Sequence, residues 1–378
     1  MPNGSPGWGT APGPYPAGQY AGPPYAGPPY TGPMPVAQKP ALPRFPHPEP
    51  REYHQMLRTW NYAWWKPVVG TVLVFLGMVL VAPLVLMPVL VLGVMFEPGS
   101  FWENFQKAAD LKNVGPAALL YLNLSLGASI LVCWGVMRYV HRMRPRWLTS
   151  VVPKMRWKLF FICVGVSVIA LIAQIVAQII VGIVTGDQGS NTLGKPNEFT
   201  ATTALLGLIV LATTPLQAAG EEYVFRGYLM QALGSFWSFS RVPAQATKWI
   251  AILGTATLFA LAHGVQNFPL FFDRFMFGFI AGWLVIRTGG LEAGIALHIL
   301  NNFLAFAYAL TFSDLSSTLN VSEAGWENIP VTLAQAGTYA GLVLLVARKM
   351  NLQRRTAPPV EAPPAPGMSP DAHVPSPA

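Results

Sequence analysis

The sequence predicts an all-α fold: a polytopic membrane helical bundle of about eight transmembrane helices with disordered Pro-rich termini. Three observations carry this expectation. Of the 378 residues, 52% are hydrophobic and only 11% charged, whereas soluble domains average about 25% charged. Eight apolar runs of roughly spanning length, about 20 residues each, follow one another through the middle of the chain. The two ends differ sharply from that middle, with sixteen of the 36 prolines in residues 1–50 and eight in residues 358–377.

Residues 1–58 read as a cytoplasmic tail. Tyr15, Tyr20, Tyr25 and Tyr30 recur every five residues within Gly-Pro-Pro. Such a segment buries too little apolar surface to offset its ordering entropy, so it is expected to be disordered and partly polyproline-II. Its Tyr-Pro motifs offer a docking segment to a protein partner. The first fifty residues hold no apolar run of the kind a cleaved signal requires. Residues 59–352 form the membrane domain, and residues 353–378 a second Pro-rich cytoplasmic tail.

Within the domain the runs lie near 67–96, 116–138, 159–184, 202–233, 247–263, 270–287, 291–313 and 331–348. The first contains Pro83 and Pro88 and should kink. The fourth spans only if the polar segment from Glu221 to Arg226 is helical. The fifth, 247–263, is short for a span. Trp60, Trp64, Trp65, Trp147 and Trp157 flank runs and suit an interfacial aromatic belt.

The net charge of +8 does not imply nucleic acid, because the basic residues gather at the ends of apolar runs. With the N-terminus placed in the cytoplasm, nineteen Lys and Arg fall in cytoplasmic segments and three (Lys107, Lys112 and Lys195) in outer ones. This asymmetry orients the protein and requires an even number of spans. The expected location is a bacterial plasma membrane, crossed many times, with both tails cytoplasmic. The two cysteines, Cys133 and Cys163, lie in apolar runs and give neither a disulfide framework nor metal-ligand spacing.

The chemistry is expected from polar residues within these runs. Glu221 and Glu222 are adjacent in an otherwise hydrophobic stretch, where a carboxylate costs roughly 2.5 kcal/mol or more. Glu222 and Arg226 are spaced i,i+4 and can pair on one helical face, which leaves Glu221 without that partner. Gln217 precedes Glu221 by one turn and is placed to hydrogen-bond into the same interior. Four histidines, His47, His54, His141 and His373, fall in tails or loops; only His263 and His298 fall in apolar runs. Helical spacing puts Phe259 and His263 on one face, and His298 and Asn302 on one face. Polar stripes on apolar helices should face one another around a wet cavity. At 1.5 Å per residue, Glu221, His263 and His298 lie about 18, 23 and 10 Å from the inner ends of their helices, so convergence requires tilt.

A carboxylate, two imidazoles and an amide suit hydrolysis by an activated water. Glu221 would act as general base, with His263 relaying the proton. His298 and Asn302 would donate to a developing oxyanion. The same set also suits a divalent metal such as zinc, with Glu221, His263 and His298 as ligands, although the usual His-Glu-x-x-His helix is absent.

Three segments, Glu221-Glu-Tyr-Val-Phe-Arg226, Phe259-Ala-Leu-Ala-His263 and His298-Ile-Leu-Asn-Asn302, resemble in order the Glu-Glu-x-x-x-Arg, Phe-x-x-x-His and His-x-x-x-Asn/Asp motifs of the CAAX protease and bacteriocin-processing (CPBP) family of intramembrane endopeptidases, to which the Ras-converting CAAX endopeptidase belongs. The resemblance implies an eight-helix bundle with its site in a cavity within the bilayer, and a peptide or membrane-protein substrate. It assigns Glu221 and His263 to the attacking water and His298 and Asn302 to the oxyanion, with Glu222, Arg226 and Phe259 as supporting motif residues. It leaves the metal question open and does not supply the substrate. Two other readings of the same residues are a non-catalytic membrane scaffold or bacteriocin self-immunity protein, and an ion transporter. The transporter would need a polar path from both sides, which three polar helices do not offer. Asp273 and Arg274 are expected at the membrane interface, and Glu292 at a helix N-terminus where the helix dipole favours it.

Overall fold

The computed structural model describes residues 46–110, 114–186, 195–237 and 242–358; the expectations for residues 1–45 and 359–378 lie outside the described residues. The described secondary structure is helical, with two isolated β-bridges, Glu52 with Arg355 and Ser150 with Gly290, and no strand among the described residues.

Helix α1 is Trp65–Met95. It widens into a π turn at Gly77–Val81, immediately before Pro83, where a pyrrolidine ring would clash with the carbonyl four residues back. Next come the short amphipathic α2 (Phe101–Ala109), α3 (Pro116–Tyr139, with proline at its first position) and α4 (Trp157–Thr185, closed by Gly186 at φ 70°). Helix α5, Ala201–Phe236, starts from a capping box between Thr200 and Thr203. It is followed by α6 (Ala244–Leu261), α7 (Phe268–Thr288), α8 (Glu292–Phe312), the short α9 (Leu315–Leu319) and α10 (Asn328–Lys349).

Seven helices, α1, α3, α4, α5, α7, α8 and α10, are long and apolar enough to cross a membrane. The protein is a multi-pass membrane protein. Helix α6 falls short of that standard because Gln245 and Lys248 occupy its first turns, yet it also runs from one end of the bundle to the other. The two ends are recognisable from their cross-links. At one end Glu52 pairs with Lys248 at 2.8 Å, Thr356 N donates to Arg51 O at 2.9 Å, Val151 N to Gly289 O at 2.8 Å and Leu291 N to Thr149 O at 3.0 Å. At the other, Val114 N donates to Ser316 Oγ at 2.9 Å, Asn197 N to Thr311 O at 2.7 Å and Asn267 N to Ser322 O at 2.8 Å. The basic segments therefore gather at the first end, as the charge pattern predicts.

Helix α8 is central and packs on α4, α5 and α7; α3 covers α5, α10 bridges α4 and α7, and α6 lies against α7. Val72, Phe75, Val79 and Leu84 on α1 and Ile172, Val176, Ile179 and Ile183 on α4 are exposed, an apolar belt suited to lipid. At the basic end, a bidentate ion pair joins the starts of α4 and α8: Arg156 Nε and Nη2 donate to Glu292 Oε1 and Oε2 at 2.8 and 2.6 Å. Glu292 thus does more than face a helix dipole.

The packed body begins upstream of the boundary read at residue 58 and runs past residue 352. Tyr53, Met56 and Leu57 are buried, the Tyr53 hydroxyl donates to the Leu148 carbonyl, and Thr356 is buried against Arg51. Trp147, assigned from sequence to the interfacial belt, is instead 2% exposed and meets His47 edge-on. Three histidines expected in tails or loops are also buried: His47, His54 and His141. Burial pushes each from 6.5 down to about 4. They fold as neutral rings, so the unfolded chain binds protons that the fold refuses. Their contribution is complete above pH 6.5 and lost as pH falls toward 4, at about 1.4 kcal/mol per pH unit for each ring. The melting temperature in detergent should fall steadily across that window; a flat profile would contradict neutral burial.

Candidate active site within the bundle

Helix α5 supplies most of the site. Pro215 lies within it and removes one backbone donor. One face then presents Gln217 and Glu221 to the interior, while Glu222 stands behind the cavity wall against Arg226 and His298. Directly after Glu222 the helix widens into a π turn, Tyr223–Leu229, a feature that often accompanies functional positions. Two glycines let neighbouring helices come close. A Cβ on Gly220 would lie 2.2 Å from the Leu126 carbonyl of α3, and one on Gly294 of α8 would lie 2.6 Å from Glu222 Oε2. Gly294 stands four residues before His298, so the bare backbone on that face makes room for the Glu222 carboxylate. Gly294→Ala should cost about 1–3 kcal/mol by overpacking and displace Glu222; an unshifted thermal midpoint would show that the wall yields freely.

The expected i,i+4 pair is present. Arg226 Nη1 donates to Glu222 Oε1 at 2.8 Å, and both side chains are fully buried. The guanidinium lies 4.1 Å from the Phe259 ring centroid and 5.1 Å from that of Phe277, a cation–π stack that offsets part of its desolvation. His298 Nδ1 also meets Glu222 Oε1, at 3.0 Å. A carboxylate bound to Arg226 can only accept there, so Nδ1 carries the proton. This turns His298 Nε2 toward Glu221 Oε2, 3.6 Å away. Glu222 thereby orients His298, as the buried carboxylate of a catalytic triad orients its imidazole.

Glu221 is not without a partner. Gln217 Nε2 donates to Glu221 Oε1 at 2.5 Å, and Asn302 Nδ2 donates to Gln217 Oε1 at 2.8 Å. Gln217 thus links the carboxylate of α5 to the amide of α8. One Asn302 N–H remains for another acceptor, since an amide nitrogen has two. His263 lies in the turn just after α6 rather than within a helix. Its Nδ1 meets the Phe259 carbonyl at 2.8 Å, so Nδ1 carries the proton and Nε2 presents a lone pair.

Glu221, His263, His298, Asn302, Phe259 and Gln217 line one cavity of about 1030 Å³, at the upper end of the range of roughly 300–1,000 Å³ for ligand pockets. Glu222 and Arg226 stand behind its wall. Asp273 and Arg274, expected at the interface, also line the cavity. The Thr332 hydroxyl donates to Asp273, and Arg274 Nη1 donates to Gln266 Oε1 at 2.7 Å. Their place near the start of α7 had suggested the interface.

Among the described residues no group of three or more His, Cys, Asp or Glu is placed to hold a metal ion. The set named from sequence, Glu221, His263 and His298, does not form such a cluster.

Residues 201–304, from the start of α5 to the middle of α8, match the Rce1-like family, described as type II CAAX prenyl endopeptidase Rce1-like. The match covers 104 of the 378 residues. The family is one of peptidases, and the Rce1-like segment contains all three motifs. The chain is also 25% identical over 153 residues, 38% of its length, to the uncharacterized protein YyaK of Bacillus subtilis strain 168. It spans about half the length of that curated relative, 50% of which is aligned. No solved structure matches the chain.

Proposed function

We propose that the protein is an intramembrane endopeptidase that hydrolyses a peptide bond with a water activated by Glu221 and His263. The observation that supports this best is the convergence of both groups on one cavity with His298 and Asn302, behind which Glu222 and Arg226 fix the His298 ring. Glu221 Oε2 and His263 Nε2 are basic atoms on the cavity wall. As the water attacks the scissile carbonyl, Glu221 takes its proton and later delivers it to the leaving nitrogen. The free N–H of Asn302, and His298 Nε2 when that ring is charged, donate to the oxyanion. The substrate is a peptide or a segment of a membrane protein, and the basic end of the bundle faces the cytoplasm of a bacterial cell.

A non-catalytic scaffold is the second reading. The bonds of Gln217, Asn302, Glu222 and His298 across α5 and α8 are also what a structural network would use. The two part over Glu221→Gln. Membrane fractions from cells making the wild type or Glu221→Gln at equal levels should differ in their protein termini, with new termini lost in the variant. Identical termini in both would count against hydrolysis.

A further inference from the structure

The cavity that holds the site is closed toward the basic end of the bundle and open toward the other. On α8, which starts at the basic end with Glu292, the lining residues begin at His298 and run through Asn302 and Tyr308 to Ser313, and beyond the helix to Ser317 and Val321. On α7 they fall within its first ten residues, those nearest the opposite end, and on α5 they stop at Phe225. None comes from residues 46–66, 140–158, 286–292 or 346–358.

Beneath Glu222 the interior is filled. Tyr53, Trp147, Tyr223 and Tyr228 are buried there. The three tyrosine hydroxyls are tied down: Tyr53 Oη to the Leu148 carbonyl, Tyr223 Oη to Thr149 Oγ1 at 2.7 Å, and Tyr228 Oη to His141 Nε2 at 2.9 Å. Gln231 Nε2 also donates to the Trp147 carbonyl, at 3.1 Å. Water and peptide have no passage through such a packed layer.

The sealed end carries Arg142, Arg144, Arg146, Arg156, Arg348 and Lys349 among others, whereas the open end has few basic residues. Positive residues are retained on the cytoplasmic side. We infer that the site is reached from the extracytoplasmic face, so that its substrates are peptide segments of exported or membrane proteins presented on that side and not cytosolic chains. This rests on the endopeptidase and orientation readings proposed above, and adds to them the side from which the substrate comes.

The test uses the full chain with one added cysteine at a time, in cells, with a small membrane-impermeant thiol reagent. The native Cys133 and Cys163 are buried, and the wild type gives their background. Arg146→Cys reports the basic end, Ser317→Cys the mouth, and Gln174→Cys the cavity wall on α4. Ser317→Cys and Gln174→Cys should react in intact cells as fast as in permeabilised ones, and Arg146→Cys only after permeabilisation. Reaction of Arg146→Cys in intact cells, with Ser317→Cys protected, would overturn the inference through the orientation and leave the endopeptidase reading standing. Reaction of Ser317→Cys with Gln174→Cys silent in intact cells would overturn it through access. Termini that depend on Glu221 and map to cytoplasmic segments would overturn the substrate side while supporting hydrolysis. If no termini depend on Glu221, the endopeptidase reading fails and the substrate side falls with it.

Discussion

Glu221→Gln is expected to abolish hydrolysis while leaving the bundle folded. Glutamine keeps the size of the side chain, and its carbonyl oxygen can still accept from Gln217 Nε2, which now meets Glu221 Oε1 at 2.5 Å. What disappears is the basicity of the second oxygen, the one 3.6 Å from His298 Nε2. Removal of a general base lowers rates by roughly 10²–10⁴-fold. Loss of a single oxyanion donor, as in Asn302→Ala, should cost about 10²–10³-fold. The readout is the rate of Glu221-dependent cleavage at matched protein levels. Cleavage that survives Glu221→Gln would remove Glu221 from the chemistry and favour the scaffold reading.

Arg226→Met should be the most damaging single change to stability. Both members of the Glu222–Arg226 pair are fully buried, and removal of one partner strands the other at a cost of about 3–5 kcal/mol. The pair has little slack, because Glu222 Oε2, Arg226 Nε and Arg226 Nη2 already lack partners among the described residues. The double variant Glu222→Gln with Arg226→Met removes both charges and should recover much of the loss. It should not recover cleavage, since His298 Nδ1 then loses the carboxylate that orients it. Thermal unfolding of the single and double variants in detergent reads the first effect, and cleavage by the double variant reads the second. A double variant no more stable than Arg226→Met would mean that the stranded Glu222 charge is not the source of the loss.

Much of this was legible in the sequence because helical periodicity is local. Apolar length gave the spans, prolines gave the break in α1, and i,i+4 spacing gave the Glu222–Arg226 pair and the Gln217–Glu221 face. The order of three short motifs gave the family resemblance. Other features needed the fold. The seclusion of His47, His54 and Trp147 depends on a segment before the first span returning to pack on residues far along the chain. The inward placement of Asp273 and Arg274 depends on how α7 is turned by α6 and α10.

The sequence by itself therefore determined an all-α membrane protein and the polar residue types set within its apolar runs. Only the tertiary structure decided which atoms of those residues are free. It gave Glu222 to His298, gave Gln217 to both Glu221 and Asn302, and closed the cavity toward the basic end. The reason is range: helix formation and span length follow from neighbours within a turn or from burial in lipid. The bonds that orient His298 and Asn302 join residues 76 and 85 positions apart, and no local pattern specifies them.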